Sequence, residues 1–357
     1  MEKENNTLNF NNQIFYIGLD VHKAQWTVTI RSNRLKLKTF SMDPSAEKLY
    51  NYMQKNYPGG IYHTVYEAGF CGYHSHRQLE RYGFNSIITA PTDVPTSNKE
   101  KNQKMDPIDS RKLARELENG SLESIYIPDQ LHQELRSLVR QRHQLMKKQT
   151  RVKNQIKSYL FFYGQRLPGN WEVKHWSKNF IEYLGGLDFI YPMGKEQVAI
   201  YIEELMGIRK LLLRVIRQIK QYLVEYNLTE DIKLLCSVPG IGFTSAITIL
   251  TEIMEPERFS DLDNIASYVG LVPTVISSDK KRIELGIKYH HNKYLRGLLI
   301  EAAWVAVRQD PALTCSYNNY LRRMSKQEAI IRIAKKLLSR ILYVWTNRKL
   351  YVKSVVK

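Results

Sequence analysis

The sequence predicts an α/β unit at its N-terminal end, followed by a chain that is almost entirely α. Three observations predict it. Residues 14–90 hold five short β-rich runs separated by polar or glycine-bearing turns. Residues 131–156 and 198–226 carry apolar side chains on a helical 4-3 spacing, with Arg142, Gln149 and Arg209 at the seam positions that fail. Residues 230–357 read as largely helical and close with a basic amphipathic tail.

The elements follow in order. IFYIGLD (14–20), QWTVTI (25–30) and LKLKTF (35–40) are separated by short turns, which predicts an antiparallel meander. Residues 44–55 read as a helix with Leu49, Tyr52 and Met53 on one side. IYHTVYEA (61–68) is a fourth strand with Glu67 at its end. HSHRQLERYG is a helix stopped at Gly83, and NSIITA (85–90) is a fifth strand. PIDSRKLARELENG (107–120) is a helix with proline at its first position and glycine past its end. Leu131, Leu135, Leu138, Leu145, Val152 and Ile156 form one apolar seam. Val198, Ile202, Leu205, Leu212, Ile216, Ile219, Leu223 and Tyr226 form another. Both segments are long enough for coiled-coil helices, and an antiparallel pair joined by residues 164–194 is the simplest arrangement.

Charge narrows the function. Lys and Arg number 53 against 35 Asp and Glu, a formal net charge of +18, which a long polyanion explains and a small acidic ligand does not. Residues 131–166 hold nine Lys or Arg and one acid; Lys147, Lys148 and Arg151 lie in this run, which fits a phosphate-facing surface better than a solvated face. Hydrophobic residues at 43% argue against wholesale disorder. Cys71, Cys236 and Cys315 are too scattered for a disulfide scaffold or a cysteine zinc site, and fit a reducing cytoplasm. No apolar run approaches ~18 residues, and MEKENNTLNFNNQ has no apolar signal core, so membrane and secreted readings are weak.

Acidic residues stand where strands end. Asp20 closes the first strand and Glu67 the fourth, while Asp106 and Asp109 open the helix after the fifth. Singly each has a plain reading: Asp20 as a turn residue, Glu67 as a solvated strand end, Asp106 as an N-cap with Asp109 at the third position. In a ribonuclease H-like arrangement the first and fourth strands are neighbours and the carboxylates converge on one sheet edge. Carboxylate oxygens suit Mg²⁺, and two such ions ~4 Å apart can cleave a phosphodiester.

SVPGIGFTSAITIL (237–250) resembles a helix-hairpin-helix element, in which the backbone at Gly240 and Gly242 could approach a phosphate; a structural turn between packed helices is the alternative. Ser277 and Ser278 lie between an apolar stretch and Lys280, Lys281 and Arg282. A serine hydroxyl needs an activating surround, and a two-serine surface turn is the commoner explanation. His290 and His291 read as surface or phosphate-contacting residues.

YIGLDVHK, VYEAGFCGY, KMDPIDSRKLAREL, PGIGFTSAITILTEI, RFSDLDNIASYVGLVP and NKYLRGLLIEAA, in this order, resemble the DEDD-type transposases of one bacterial insertion-sequence family. Piv-type DNA invertases and bridge-RNA-guided recombinases belong to it. The resemblance implies a RuvC-like domain over residues 1–130, a coiled-coil linker that dimerises over 131–229, and a mostly helical transposase domain with a nucleophilic serine over 230–357. The family's four acids fall on Asp20, Glu67, Asp106 and Asp109, as ligands of Mg²⁺ or Mn²⁺. Its serine falls on Ser278 by the spacing to Asn292, with Ser277 the alternative, because Asp279 replaces the usual glycine and His290-His291 the usual Arg-Gly. The implied activity is DNA strand cleavage and exchange, guided by a structured noncoding RNA that pairs with target and donor DNA. Gly240, Gly242, Lys147, Lys148, Arg151, Lys280, Lys281 and Arg296 are the expected nucleic-acid contacts. The expected assembly is a homo-oligomer, a dimer that becomes a tetramer in the synaptic complex, with the acids of one subunit meeting the serine of another. The expected location is the bacterial cytoplasm, at the nucleoid. A Piv-like invertase, a metal-only RuvC-like junction nuclease and a non-catalytic nucleic-acid-binding relative are the competing readings.

Overall fold

A computed structural model describes residues 9–95, 106–165, 167, 176–278, 281–287 and 291–353, for 106–107, 273–278 and 281–287 the backbone only. The chain divides into two compact units, Met1–Ile127 and Pro128–Lys357.

The first unit is a sheet with helices on both faces. Its elements are β1 (Ile14–Val21), β2 (Trp26–Ser32), β3 (Leu35–Met42), α1 (Ala46–Asn56), β4 (Ile61–Glu67), α2 (His74–Arg81), β5 (Asn85–Thr89) and α3 (Asp106–Glu118). The strand order is β3-β2-β1-β4-β5. The first three strands form the antiparallel meander; β4 joins β1, and β5 joins β4, in parallel. A tight turn joins β2 to β3, with Asn33 and Arg34 both at positive φ, as a twisted two-residue hairpin requires. Parallel neighbours need crossovers, which α1 and α2 supply. Side chains alternate between the faces. Phe15, Ile17 and Leu19, with Tyr62 and Tyr66, pack against Leu49 and Met53 of α1 and Leu79 of α2. Gly18 and Val65 turn the other way, where Val65 packs on Leu113 of α3. α1 starts at Ser45, whose side chain accepts the Lys48 amide.

The second unit holds α4 (Gln130–Phe162), α5 (Lys178–Gly185), α6 (Pro192–Glu225), α7 (Thr229–Cys236), α8 (Phe243–Ile253), α9 (Leu262–Val269), β6 (Pro273–Ser278), β7 (Lys281–Ile287), α10 (Leu295–Gln309), α11 (Pro311–Leu321) and α12 (Lys326–Thr346). The two long helices pack antiparallel. Near the end of α4, the Tyr159 hydroxyl donates to the Gly194 carbonyl at the start of α6, at 3.3 Å. Leu135, Leu145, Val152 and Ile156 are buried opposite Val198, Leu205, Leu212, Ile219 and Leu223, as the periodicity predicts. Val139, Leu160, Ile208 and Val215 are buried as well, while Leu138 and Ile202 are half-buried and Tyr226 is exposed. The stripe is wider than a two-helix seam because the same core continues into α7–α12. Most of its apolar side chains are therefore covered within one chain.

The chain from residue 230 onward is largely helical, as expected, with one interruption between Pro273 and Ile287. Here β6 and β7 form an antiparallel hairpin, with Ile276 opposite Ile283 and Ser278 opposite Lys281. The β-branched run TVI and the apolar-polar alternation of RIEL favour strand over helix. No helix among the described residues is long and apolar enough to cross a membrane.

Candidate active-site edge and nucleic-acid surface

The register of β1 against β4 sets the acids. Leu19 stands beside Tyr66 in the parallel pair, and the next residue on each strand is an acid, Asp20 and Glu67. Both are half-buried. By the alternation they share the face to which Gly18 and Val65 turn, the face that carries α3. A Cβ on Gly18 would lie 2.1 Å from the Ser110 carbonyl oxygen and 2.4 Å from the Ala114 nitrogen, so α3 lies directly on the β1 backbone. The Ser110 hydroxyl bonds the Thr29 hydroxyl at 2.9 Å, and Thr29 is the partner of Gly18 on β2. At its other end α3 is held by Glu118, which accepts from the Arg31 guanidinium at 2.7 Å and the Arg34 amide at 2.5 Å. Arg31 pairs with Tyr16, so α3 runs back along β1 and opens at the acidic end.

Asp109, just before Ser110 and half-buried, thus stands at the edge where β1 and β4 finish. Asp106, the first helical residue, precedes it by about one turn; only its backbone is described. The positive end of the helix dipole faces the same edge, which favours anions there. The His22 ring nitrogen lies 3.2 Å from the Asp20 carboxylate, a neighbour the sequence did not single out. Carboxylate oxygens on a strand, a second strand and a helix are donors that Mg²⁺ and Mn²⁺ accept. Among the described residues, however, no three His, Cys, Asp or Glu side chains are gathered to hold a metal ion.

In the second unit, Ser277 and Ser278 are the last two residues of β6 rather than part of a loop, opposite Arg282 and Lys281. Asp279, Lys280 and His290 lie outside the described residues. The base of the hairpin is tied down by contacts the sequence reading missed. Gly270 ends α9 at φ +87°, and its carbonyl accepts from the Arg296 guanidinium at 2.9 Å. The Asn292 amide nitrogen of the backbone donates to the Tyr268 carbonyl at 2.9 Å. The Asn292 side-chain oxygen accepts from Tyr294 and Leu295 and so caps α10, while its NH₂ donates to Glu252 at 2.8 Å. Glu252 is fully buried on α8, and Arg140 of α4 meets it with two bonds of 2.6 and 2.7 Å. The same guanidinium lies 4.8 Å from the Tyr294 ring centroid. Hydrogen bonding to Glu252 raises the Arg140 pKa. The one available signal was a glutamate inside the apolar run ITILTEI, since a buried charge calls for a partner.

The basic surface divides accordingly. Lys147, Lys148 and Arg151 are exposed on α4, Arg140 neutralises Glu252, and Arg142 is half-buried. Arg296 is half-buried on Gly270, and that burial lowers its pKa. Gly240, at φ +84°, serves packing: a Cβ there would lie 2.3 Å from the Ala302 carbonyl oxygen of α10. Gly242 is exposed at the start of α8, with open space around it. His291 is exposed. For Lys281 only the backbone is described.

Comparison with known proteins gives two matches, the first of which runs past the first unit into α4. A family model described as a transposase, of the DEDD IS110 type, matches residues 17–164. A second, described as the transposase IS116/IS110/IS902 family, matches residues 232–318. The chain belongs to the DEDD-type insertion-sequence transposase family. Among relatives, the y4rJ protein of Sinorhizobium fredii is 25% identical over 380 residues, spanning 96% of this chain and 94% of its own length. The y4qE protein of the same organism is 26% identical over 239 residues, 67% of this chain, and the chain spans only 57% of that relative's length. The transposase for insertion sequence element IS1111A of Coxiella burnetii is 23% identical over 307 residues, 81% of this chain and 79% of its own. In this member of the family, the first match holds all four acids and the exposed lysines of α4, and the second holds both serines and the Asn292 staple.

Proposed function

We propose that the protein is a DNA transposase that cuts and rejoins strands through a serine nucleophile assisted by an acid-held divalent metal, with a structured noncoding RNA choosing the DNA sites. The observation that carries this reading is the parallel pairing of β1 and β4, which puts Asp20 and Glu67 at neighbouring strand ends with α3 opening over them. This is the arrangement metal-assisted phosphoryl transfer needs: hard oxygen ligands on rigid elements and a helix dipole favouring the phosphate. Asp20, Glu67, Asp106 and Asp109 would hold Mg²⁺ or Mn²⁺, which when bound stabilises charge on the phosphate oxygens.

The Ser278 oxygen then bonds the phosphorus, a DNA sugar oxygen leaves and takes up a proton, and the DNA end is kept as a phosphoserine ester. Attack by the hydroxyl of another DNA end on that ester releases the serine and rejoins the strand. Lys147, Lys148, Arg151 and the open backbone at Gly242 contribute phosphate contacts that carry no base code. Sequence choice by a pairing RNA leaves the protein chiefly phosphate contacts to make, which a basic surface supplies.

Glu67→Gln tests the acidic edge, since it removes a charge and nearly keeps the shape. Recombination of a guide-matched DNA substrate in Mg²⁺ should collapse while the fold persists; undiminished activity would overturn the metal site. Sequencing the RNA that copurifies with the protein tests the guide, and random cellular fragments in place of one folded species would remove it.

A further inference from the structure

We propose that a groove along α4 is a binding site for an unpaired nucleic-acid strand. The proposal rests on the nucleic-acid reading above and adds the place and the form of the strand.

The groove has a volume of about 890 Å³. Lys147 and Arg151 line it, followed by Asn154, Gln155 and Ser158, and then the rings around Phe162. These positions recur every three or four residues, so they form one stripe along the helix. Fifteen residues at 1.5 Å each make it about 22 Å long. Its character changes along that length: cations first, amide and hydroxyl groups in the middle, aromatic rings at the end. No acidic side chain lines it among the described residues.

The rings decide the kind of partner. Phe162 is 81% exposed. Its neighbour Tyr163 meets it edge to face, at 5.2 Å and 80°, which leaves the Phe162 ring without a partner stacked on its face in that contact. Tyr163 in turn leans on Tyr159, with centroids 4.7 Å apart, and Tyr201 backs Tyr159 at 5.9 Å. An apolar ring standing in water is costly to solvate, and Phe162 is no part of this unit's core. In a duplex the base faces are stacked inside and such a ring reaches none of them. An unpaired strand offers its base faces to the ring and its phosphates to Lys147 and Arg151, and aromatic stacking tolerates any base. Asn154 and Gln155, between the two ends, can donate to and accept from sugar or base edges. The net positive lining favours a polyanion over an apolar protein surface.

The test uses the full chain, freed of nucleic acid, and labelled mixed-sequence oligonucleotides of ~20 residues: single-stranded RNA, single-stranded DNA and duplex DNA. Phe162→Ala should weaken single-strand binding by roughly tenfold, change duplex binding less than twofold and leave the salt dependence intact. The Lys147→Glu, Arg151→Glu double variant should flatten the salt dependence for every probe. Preference for RNA or for DNA identifies the strand, and either supports the groove provided the duplex is spared. Equal loss for single strand and duplex, or no loss at all, overturns the groove; the nucleic-acid reading then survives only if the charge variant still weakens binding. A wild-type protein that binds none of the probes overturns both. A Phe162→Ala protein with a changed mass in light scattering and unchanged affinity makes the ring a protein contact and also overturns the proposal. If Phe162→Ala loses helical signal, Asn154→Ala, which removes the amide at an exposed position without changing charge, takes its place with the same expected selectivity for single strands.

Discussion

A Cβ on Gly18 would stand 2.1 Å from the carbonyl oxygen of Ser110. This approach brings helix α3 onto the backbone of β1, and the Ser110–Thr29 hydroxyl bond locks its position along the strand. Asp20, two residues past Gly18, and Asp109, just before Ser110, are therefore placed relative to one another by a missing side chain.

Gly18→Ala should destabilise the first unit by about 1–3 kcal/mol, because the methyl group must push backbone rather than a flexible side chain. Its DNA cleavage should fall further than its stability, since the helix that carries Asp109 moves. Denaturant unfolding beside a cleavage assay checks this; an unchanged midpoint with full activity would mean that α3 does not lie on β1.

Ser278→Ala should abolish strand exchange and the protein–DNA adduct while binding persists. Ser277→Ala should be milder, because the spacing to Asn292 favours its neighbour. Trapping the adduct under denaturing conditions decides it. An adduct that survives the first change and vanishes with the second would move the nucleophile one residue back; normal recombination by the double variant would leave only the metal-dependent reading, with no serine ester.

Arg140→Ala should cost the second unit about 3–5 kcal/mol, because it leaves the buried carboxylate of Glu252 without its countercharge. The loss should appear as a lower urea midpoint. Lysine at the same position should restore only part of it, since an ammonium cannot make the paired bonds of the guanidinium.

Acid should weaken the first unit through two of its histidines. Burial holds the pKa values of His63 and His76 below the ordinary 6.5. The folded imidazoles stay neutral while unfolded ones take up protons, so their stability contribution is full above pH 6.5 and falls as the pH drops below it. Melting between pH 7.5 and 5 should show the fall, and His76→Gln should shrink it. A flat profile would place both rings in water.

Local pattern carried much of this architecture. The β-rich runs and turns at 14–90 specify strands, and the leucine spacing in α4 and α6 specifies which faces are buried, because both signals depend only on near neighbours in the chain. The hairpin β6–β7 escaped because six- and seven-residue runs are short enough to read either way once the flanking chain is helical. Glu252 escaped because its partners, Arg140 and Asn292, are 112 and 40 residues away in the chain.

The sequence by itself determined the basic excess, the order of the motifs and which residue types stand at the ends of β1 and β4. Those are properties of composition and spacing. Only the tertiary structure decided that Asp20 and Glu67 are neighbours, that Gly18 seats α3 beside them, and that Gly240 and Arg296 hold helices and a hairpin base. Pairing register and backbone approach are set by contacts between distant segments, and a side chain's role depends on whether such a contact has already claimed its polar atoms.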